Sequence, residues 1–320
     1  MGCKQTTVED ELDFNEHIPD EIILNNNKRC PAMGLGTSLI KTEEDINIIY
    51  QSIIDGIRLI DVQPNNEELV GKGIKKAIDE KKVRRENLFI VAKLELQDKD
   101  DPEKALRKTL KNLQLEYVDL YLDHWPSIKI YKMPKSDKLI PIRETWEKIE
   151  RLVDLKLTKS IGVSNYNIVN LLNILSCYRI KPVVNEVEFH PYLYQKDLKE
   201  FCDFENITLF AYNPFVKGEY CKKDLLYNNN YDLFKEGSIT YLYRNEQEKK
   251  ITKGQIILNW YLSLGIVPLV GTSKTDRMKE NLQAKNFSMN RKIIDLIGSL
   301  EDKQHRFHNG YDIFGVDVFA

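Results

Sequence analysis

The chain has 320 residues, 42% hydrophobic and 30% charged, with a formal net charge of −2 at pH 7. That length fits one large (β/α) barrel, a fold that reaches this size as a single domain. No apolar stretch approaches the roughly 18 residues that cross a bilayer, and basic residues are interleaved with acidic ones, so neither a transmembrane helix nor nucleic-acid binding is expected.

In chain order, residues 1–20 form a flexible acidic leader in which Glu9, Asp10, Glu11 and Asp13 crowd together. It has neither the apolar region of a secretory signal nor an Arg-rich, acid-poor transit composition, so a cytoplasmic location is expected. The opening Met1-Gly2-Cys3-Lys4-Gln5-Thr6 fits M-G-x-x-x-[ST], which places myristate on Gly2 and leaves Cys3 positioned for palmitate. One acyl chain anchors weakly and two hold stably, so membrane association would come through this terminus alone. An ordinary unstructured terminus is the alternative, because so short a pattern often arises by chance. Cys3, Cys30, Cys177, Cys202 and Cys221 are irregularly spaced with no CxxC pair. They support neither a disulfide framework nor a zinc site, and no metal is expected.

Residues 21–320 read as one barrel domain. A hairpin over 21–31, turned at Asn25-Asn26-Asn27, is expected to close the barrel floor. Apolar or β-branched runs then predict strands at 32–37, 57–61, 88–93, 117–123, 158–163, 182–187, 207–212 and 266–271. Between them, helical periodicity predicts helices near 42–55, 66–81, 102–113, 142–156, 166–177, 195–205, 252–264 and 275–284. Eight such alternations indicate a closed (β/α)8 TIM barrel. Residues 213–250 have no clean period and read as a long loop over the C-terminal face. A further helix near 290–301 precedes a tail whose aromatics are expected to pack on the barrel.

In barrels of this kind functional residues sit at strand C-terminal ends. Here those ends carry Thr37, Asp61, Lys93, His124, Ser164-Asn165, Glu186, Tyr212 and Gly271-Thr272-Ser273. With MGLGT at 33–37, NNEELVG at 65–71, LFIVAKL at 88–94, YVDLYLDHWP at 117–126, KSIGVSNYN at 159–167, NEVEFHPY at 185–192 and GTSKTDRMKEN at 271–281, the chain resembles the aldo-keto reductases from about residue 20 onward. The resemblance implies hydride transfer from a nicotinamide dinucleotide to the carbonyl carbon of a small substrate, while a tyrosine gives a proton to the oxygen. A phenol with an ordinary pKa near 10 is a reluctant acid and needs a cation beside it. By resemblance Lys93 is that cation, Asp61 its buried partner, His124 the residue that orients the substrate oxygen and Trp125 a wall of the pocket.

The tyrosine should follow Asp61 in the pattern D-x-A-x-x-Y-x-N-E. This chain instead reads Asp61-Val62-Gln63-Pro64-Asn65-Asn66-Glu67, two residues shorter, with Pro64 where the proton donor belongs. The Asp61–Lys93 pair also has a purely structural reading, because stranding one buried charge costs about 3–5 kcal/mol. Tyr131, Tyr192, Tyr194 and His124 are the candidate substitute acids.

For the cofactor, resemblance assigns Thr37 to the site, Ser164 and Asn165 to the carboxamide, Tyr212 to stacking on the ring, and Thr272, Ser273, Lys274, Arg277 and Asn281 to the adenosine end. Glu186 takes the family's glutamine position, and a carboxylate can accept from the carboxamide but cannot donate to it. Gly271 stands where many members have a lysine for the 2′-phosphate, although Lys274 and Arg277 lie nearby. A helix beginning near Thr275 adds a favourable dipole for phosphate. NADP(H) is therefore expected ahead of NAD(H). Ser38 and Leu39 replace the aromatic that commonly follows the GLGT segment, and Lys156 replaces a helix-terminating glycine. Three readings stay open: a nucleotide-binding barrel with lost or weakened carbonyl reduction, acting as a sensor or scaffold with protein partners; an active NADPH-dependent aldehyde/ketone reductase with a substitute acid; and a structural subunit without cofactor.

Overall fold

Short β-branched runs bounded by turns become strands, and the amphipathic stretches between them become helices that cover the outside. The computed structural model describes residues 12–13, 17–126, 140–216, 232–245, 250–303, 305–308 and 310. Its strands are β1 (Leu12–Asp13), β2 (Glu21–Ile23), β3 (Arg29–Pro31), β4 (Gly34–Gly36), β5 (Leu59–Asp61), β6 (Phe89–Leu94), β7 (Leu120–Asp123), β8 (Ile161–Ser164), β9 (Val184–Glu188), β10 (Thr208–Tyr212), β11 (Val267–Val270) and β12 (Ser288–Met289). Strands β4 to β11 form a closed barrel in sequence order, with β11 returning to pair with β4. Every pairing in it is parallel. All eight expected barrel strands are present.

The helices are α1 (Ile46–Ile54), α2 (Glu67–Asp79), α3 (Pro102–Leu113), α4 (Ile142–Asp154), α5 (Ile168–Leu175), α6 (Lys196–Phe204), α7 (Gly237–Asn245), α8 (Lys253–Ser263), α9 (Thr275–Leu282) and α10 (Arg291–Gly298). Their starts follow capping chemistry. Asp101 caps α3 ahead of Pro102, whose missing N–H costs nothing at that position. Thr252 and Gln255 form a reciprocal capping box on α8. Thr42 opens a short 3-10 turn, Glu43–Asp45, and α1 follows it rather than starting at residue 42. Lys156, after α4, takes φ 58°, the left-handed conformation that a glycine would hold at less cost.

The expected hairpin is β2 paired antiparallel with β3, and it closes the floor. The Asn25 side chain donates to the carbonyls of Pro182 and Asn206 at 2.9 and 3.0 Å, and Asn26 donates to Ser160 Oγ at 2.9 Å, all at strand N-terminal ends. Leu24 and Cys30 from the hairpin pack inside the barrel against Leu59, Phe89, Val91, Leu120 and Phe210.

The stretch 213–250 differs from the expected structureless loop. It contains the 3-10 turn Leu233–Lys235 and α7, which buries Ile239 and Leu242. Gly237, Ser238 and Thr240 are weak helix formers, so tertiary burial of two apolar residues overrides local propensity there. Residues 217–231 and 246–249 lie outside the described residues, as do Gly2, Cys3, Tyr131 and most of the C-terminal tail. Among the described residues no helix is long and apolar enough to cross a membrane.

Candidate active site

Alternation along β5, β6 and β9 turns Asp61, Lys93 and Glu186 into the barrel, where they meet. The Lys93 ammonium contacts Asp61 Oδ1 and lies 3.3 Å from Glu186 Oε1, and all three side chains are at most 3% exposed. Gln63 Nε2 donates to the other Asp61 oxygen at 3.1 Å. Glu186 Oε2, in contrast, is buried without a hydrogen-bond partner among the described residues. Burial works against the Lys93 charge, but the attraction of Asp61 and then Glu186 outweighs it and holds the ammonium above its ordinary value. Two buried carboxyls share one cation, and Glu186 pays the difference: burial first, and repulsion from Asp61 second, push it up to about 8. Burial and Asp61 thus favour the protonated form of Glu186. It carries the O–H donor that a carboxylate would lack, which removes the objection raised by its replacing a glutamine.

The remaining strand-end residues form one connected rim. Asn165, in the left-handed conformation at φ 62°, donates to the carbonyl of His124 at 2.9 Å and to Ser164 Oγ at 3.2 Å, and accepts from the Tyr212 hydroxyl at 2.8 Å. The Ser164 hydroxyl donates to the Glu186 carbonyl at 2.9 Å. Asparagine tolerates this backbone conformation better than most residues, so its amide can be aimed at three neighbours at once. His124 hydrogen-bonds through Nδ1 to the Glu95 carboxylate, and the Trp125 ring lies 6.3 Å from the imidazole. Behind them Lys99 pairs with Asp123 at 2.7 Å and donates to the Trp125 carbonyl at 2.6 Å, while Tyr166 donates to Asp123 at 2.7 Å.

Thr37 is fully buried. Its hydroxyl donates to the Asp61 carbonyl at 2.8 Å and accepts from the Gln63 amide at 3.2 Å, so it braces the shortened segment after β5. Asn66 adds to this brace by donating to the Thr37 carbonyl at 2.6 Å. Tyr192 is buried, and its hydroxyl donates to Glu236 at 2.5 Å. Tyr194 packs against Phe189 and Trp260. Neither belongs to the Lys93 cluster, whose ion-pair and hydrogen-bond partners among the described residues are Asp61 and Glu186.

At the far end of the rim, Lys274 and Arg277 are exposed and make no ion pair among the described residues, and α9 starts between them at Thr275. The Thr272 hydroxyl donates to the Lys274 carbonyl and accepts from the Lys274 amide, both at 3.0 Å, which fixes the loop ahead of that helix. Ser273 is exposed beside it and Asn281 is buried. Two free cations at a helix N-terminus suit a phosphate. A cavity of about 770 Å3 opens at the opposite end of the barrel, around Lys28, Arg58, Asp119 and Lys159. No strand C-terminal residue lines it, and its Asp119 is already paired with Arg85 and Lys159, so it belongs to the floor.

Sequence reasoning missed Gln63, Glu95 and Glu188. Glu95 carried a usable signal: it stands two positions beyond Lys93, on the same side of an extended chain. Glu188 had the same relation to Glu186. Gln63 had none, because its role depends on how the shortened segment folds back.

The model of the "Aldo/keto reductase family" matches residues 32–302. Aldose reductase B of Dictyostelium discoideum is 35% identical over 289 residues, covering 84% of this chain and 88% of that protein. The NAD(P)H-dependent D-xylose reductase of Scheffersomyces stipitis is 34% identical over 325 residues, covering 93% and 99%. A crystal structure of a Bombyx mori aldo-keto reductase in complex with NADP superposes with a TM-score of 0.81 at 29% identity, covering 92% of this chain and 96% of that one. With the parallel barrel and the strand-end cluster already in place, these matches extend over nearly the whole domain, and the chain belongs to the aldo/keto reductase family.

Proposed function

We propose that this chain is an NADP(H)-linked oxidoreductase that reduces small aldehydes or ketones, with proton delivery weakened because Pro64 stands where the family's tyrosine is expected. The observation that carries this reading is the single rim joining Lys93, Asp61 and Glu186 to Ser164, Asn165, Tyr212 and His124. The residues present fit the cofactor: among the described residues Glu186 keeps an unpartnered buried oxygen and Lys274 and Arg277 make no ion pair, which leaves them for phosphate, while Tyr212 offers a ring beside Asn165. When bound, a reduced nicotinamide supplies hydride to the carbonyl carbon. Ser164, Asn165 and Glu186 would hold its carboxamide, His124 would fix the carbonyl oxygen, and Trp125 would shield that oxygen from water. The relatives' names, with D-xylose and NAD(P)H in one and NADP in another, support this substrate class and cofactor, with NAD(H) as the alternative.

NADPH titration followed by fluorescence, then a carbonyl panel, tests the reading. Binding with turnover about 10²–10⁴-fold below that of a tyrosine-bearing relative is expected, the usual cost of losing a general acid. Failure to bind NADPH or NADH would sink it. The shortened, well-braced segment at Pro64 favours a second reading, a nucleotide-binding sensor or scaffold with protein partners and no turnover. Binding without reduction of any carbonyl would select that one. Acylation at Gly2 and Cys3 is a separate proposal that intact mass of the native amino terminus decides.

A further inference from the structure

We propose that His124, held by Glu95, is the proton donor to the carbonyl oxygen, with Glu95 as its positioning residue. The inference rests on the carbonyl-reductase reading above and names the acid that reading needs. Glu95 follows directly on β6, and His124 follows directly on β7. These are neighbouring strands, so the two side chains meet at the rim through Nδ1 and a carboxylate oxygen. The backbone of His124 is clamped on both sides: its amide donates to the Leu94 carbonyl at 3.1 Å, and its own carbonyl accepts from Asn165 at 2.9 Å. These contacts hold the His124 backbone, and the Glu95 contact at Nδ1 orients the ring.

Partial burial works to raise the Glu95 carboxyl, but the hydrogen bond and charge of His124, helped by Lys93, outweigh it and hold Glu95 below its ordinary value. An ionised carboxylate only accepts, so the proton between the two residues lies on Nδ1. Nε2, on the opposite edge of the ring, makes no hydrogen bond among the described residues, and the side chain is 20% exposed. The other charges around it are arranged in closed pairs: Lys93 with Asp61 and Glu186 on one side, and Lys99 with Asp123 on the other. Glu95 is thus the carboxylate that faces the His124 ring.

The step balances. As hydride from the reduced nicotinamide bonds to the carbonyl carbon, the π pair moves to oxygen and takes the proton from Nε2. The carbonyl is reduced to an alcohol, the nicotinamide is oxidised, and His124 is left neutral with its proton on Nδ1. Its partial exposure lets solvent return the proton. In the reverse direction the neutral ring accepts at Nε2, so reduction uses the doubly protonated ring and alcohol oxidation the neutral one.

The test compares wild type with Glu95→Gln, Glu95→Asp and His124→Gln, each checked first for NADPH affinity and for unfolding midpoint. His124→Gln is expected to lose about 10²–10⁴-fold in kcat/KM for carbonyl reduction. Glu95→Gln is expected to lose roughly tenfold at pH 7 and to move the alkaline limb of the rate profile to lower pH by about one unit, with Glu95→Asp restoring most of both. NMR titration of the His124 ring in the protein without cofactor should show the same downward shift in Glu95→Gln. A wild type that turns over while Glu95→Gln leaves both the rate profile and the ring titration unmoved overturns this inference alone. A wild type without turnover overturns the reductase reading along with it.

Discussion

Glu186 and Glu188 stand two positions apart on the same face of β9, both buried, and their carboxyls are driven in opposite directions. Glu186 is pushed up to about 8. For Glu188 burial exerts the same upward push, but the hydrogen bond and charge of His190, then the charge and backbone N–H of His308, pull it down to about 2. The partners account for the contrast. Glu188 accepts from the amides of Phe307 at 3.1 Å and His308 at 2.8 Å, from Asn213 at 3.4 Å and from His190 at 3.2 Å. Among the described residues Glu186 has one cation, already engaged by Asp61, and one oxygen with no partner. Burial therefore does not set the charge state; the supply of donors does. The satisfied glutamate latches the C-terminal segment onto the barrel mouth, and the other keeps one oxygen without a partner among the described residues.

The largest expected effect comes from removing the cation that Glu186 shares with Asp61. Lys93→Met leaves Asp61 buried without compensation and should cost about 3–5 kcal/mol in urea unfolding, besides abolishing carbonyl reduction. A loss under about 1 kcal/mol would mean that the cluster is solvated and that burial does not push Glu186 up.

Next is the latch. Glu188→Gln weakens hydrogen bonds to a charged acceptor and should cost roughly 1.5–3 kcal/mol at pH 7. The stabilisation from Glu188 is fully present above its ordinary 4.5 and is lost as pH falls towards about 2, because protonation then removes the preferred acceptor. The gap between wild type and Glu188→Gln should accordingly narrow over that window, as read from denaturant midpoints across acid pH.

The smallest effect on stability, within about 1 kcal/mol below the ordinary glutamate value where both side chains are neutral, is expected from Glu186→Gln. Its signature is a slope. Between about 4.5 and 8 the folded chain holds a proton on Glu186 that the unfolded chain has released, so wild-type stability falls as pH rises through that window. The glutamine variant should lack that contribution. It should also keep its NADPH affinity above pH 8, where wild type loses roughly three- to tenfold with the donor O–H. Parallel affinity profiles for the two proteins would sever Glu186 from the carboxamide.

Much of this architecture was legible before folding. The strand-end positions of Asp61, Lys93, His124, Ser164, Asn165, Glu186 and Tyr212 could be read because each closes an apolar or β-branched run, and a parallel barrel gathers those ends at one mouth. The helix α7 was not legible, since Gly237, Ser238 and Thr240 speak against it and only the burial of Ile239 and Leu242 decides for it. The brace of Gln63, Thr37 and Asn66 was equally hidden, because it links side chains to backbone groups across a turn whose path no local propensity specifies.

By itself the sequence determined the fold and the family, because alternation, capping residues and strand-end chemistry are local signals repeated around the barrel. Only the tertiary structure decided the charge of the site. That Glu186 is pushed up, that Glu188 is pulled down and that Glu95 faces His124 depend on donors and neighbouring charges brought from other strands and from the C-terminal segment. Electrostatic energy depends on distance and burial, which the order of residues along a chain does not contain.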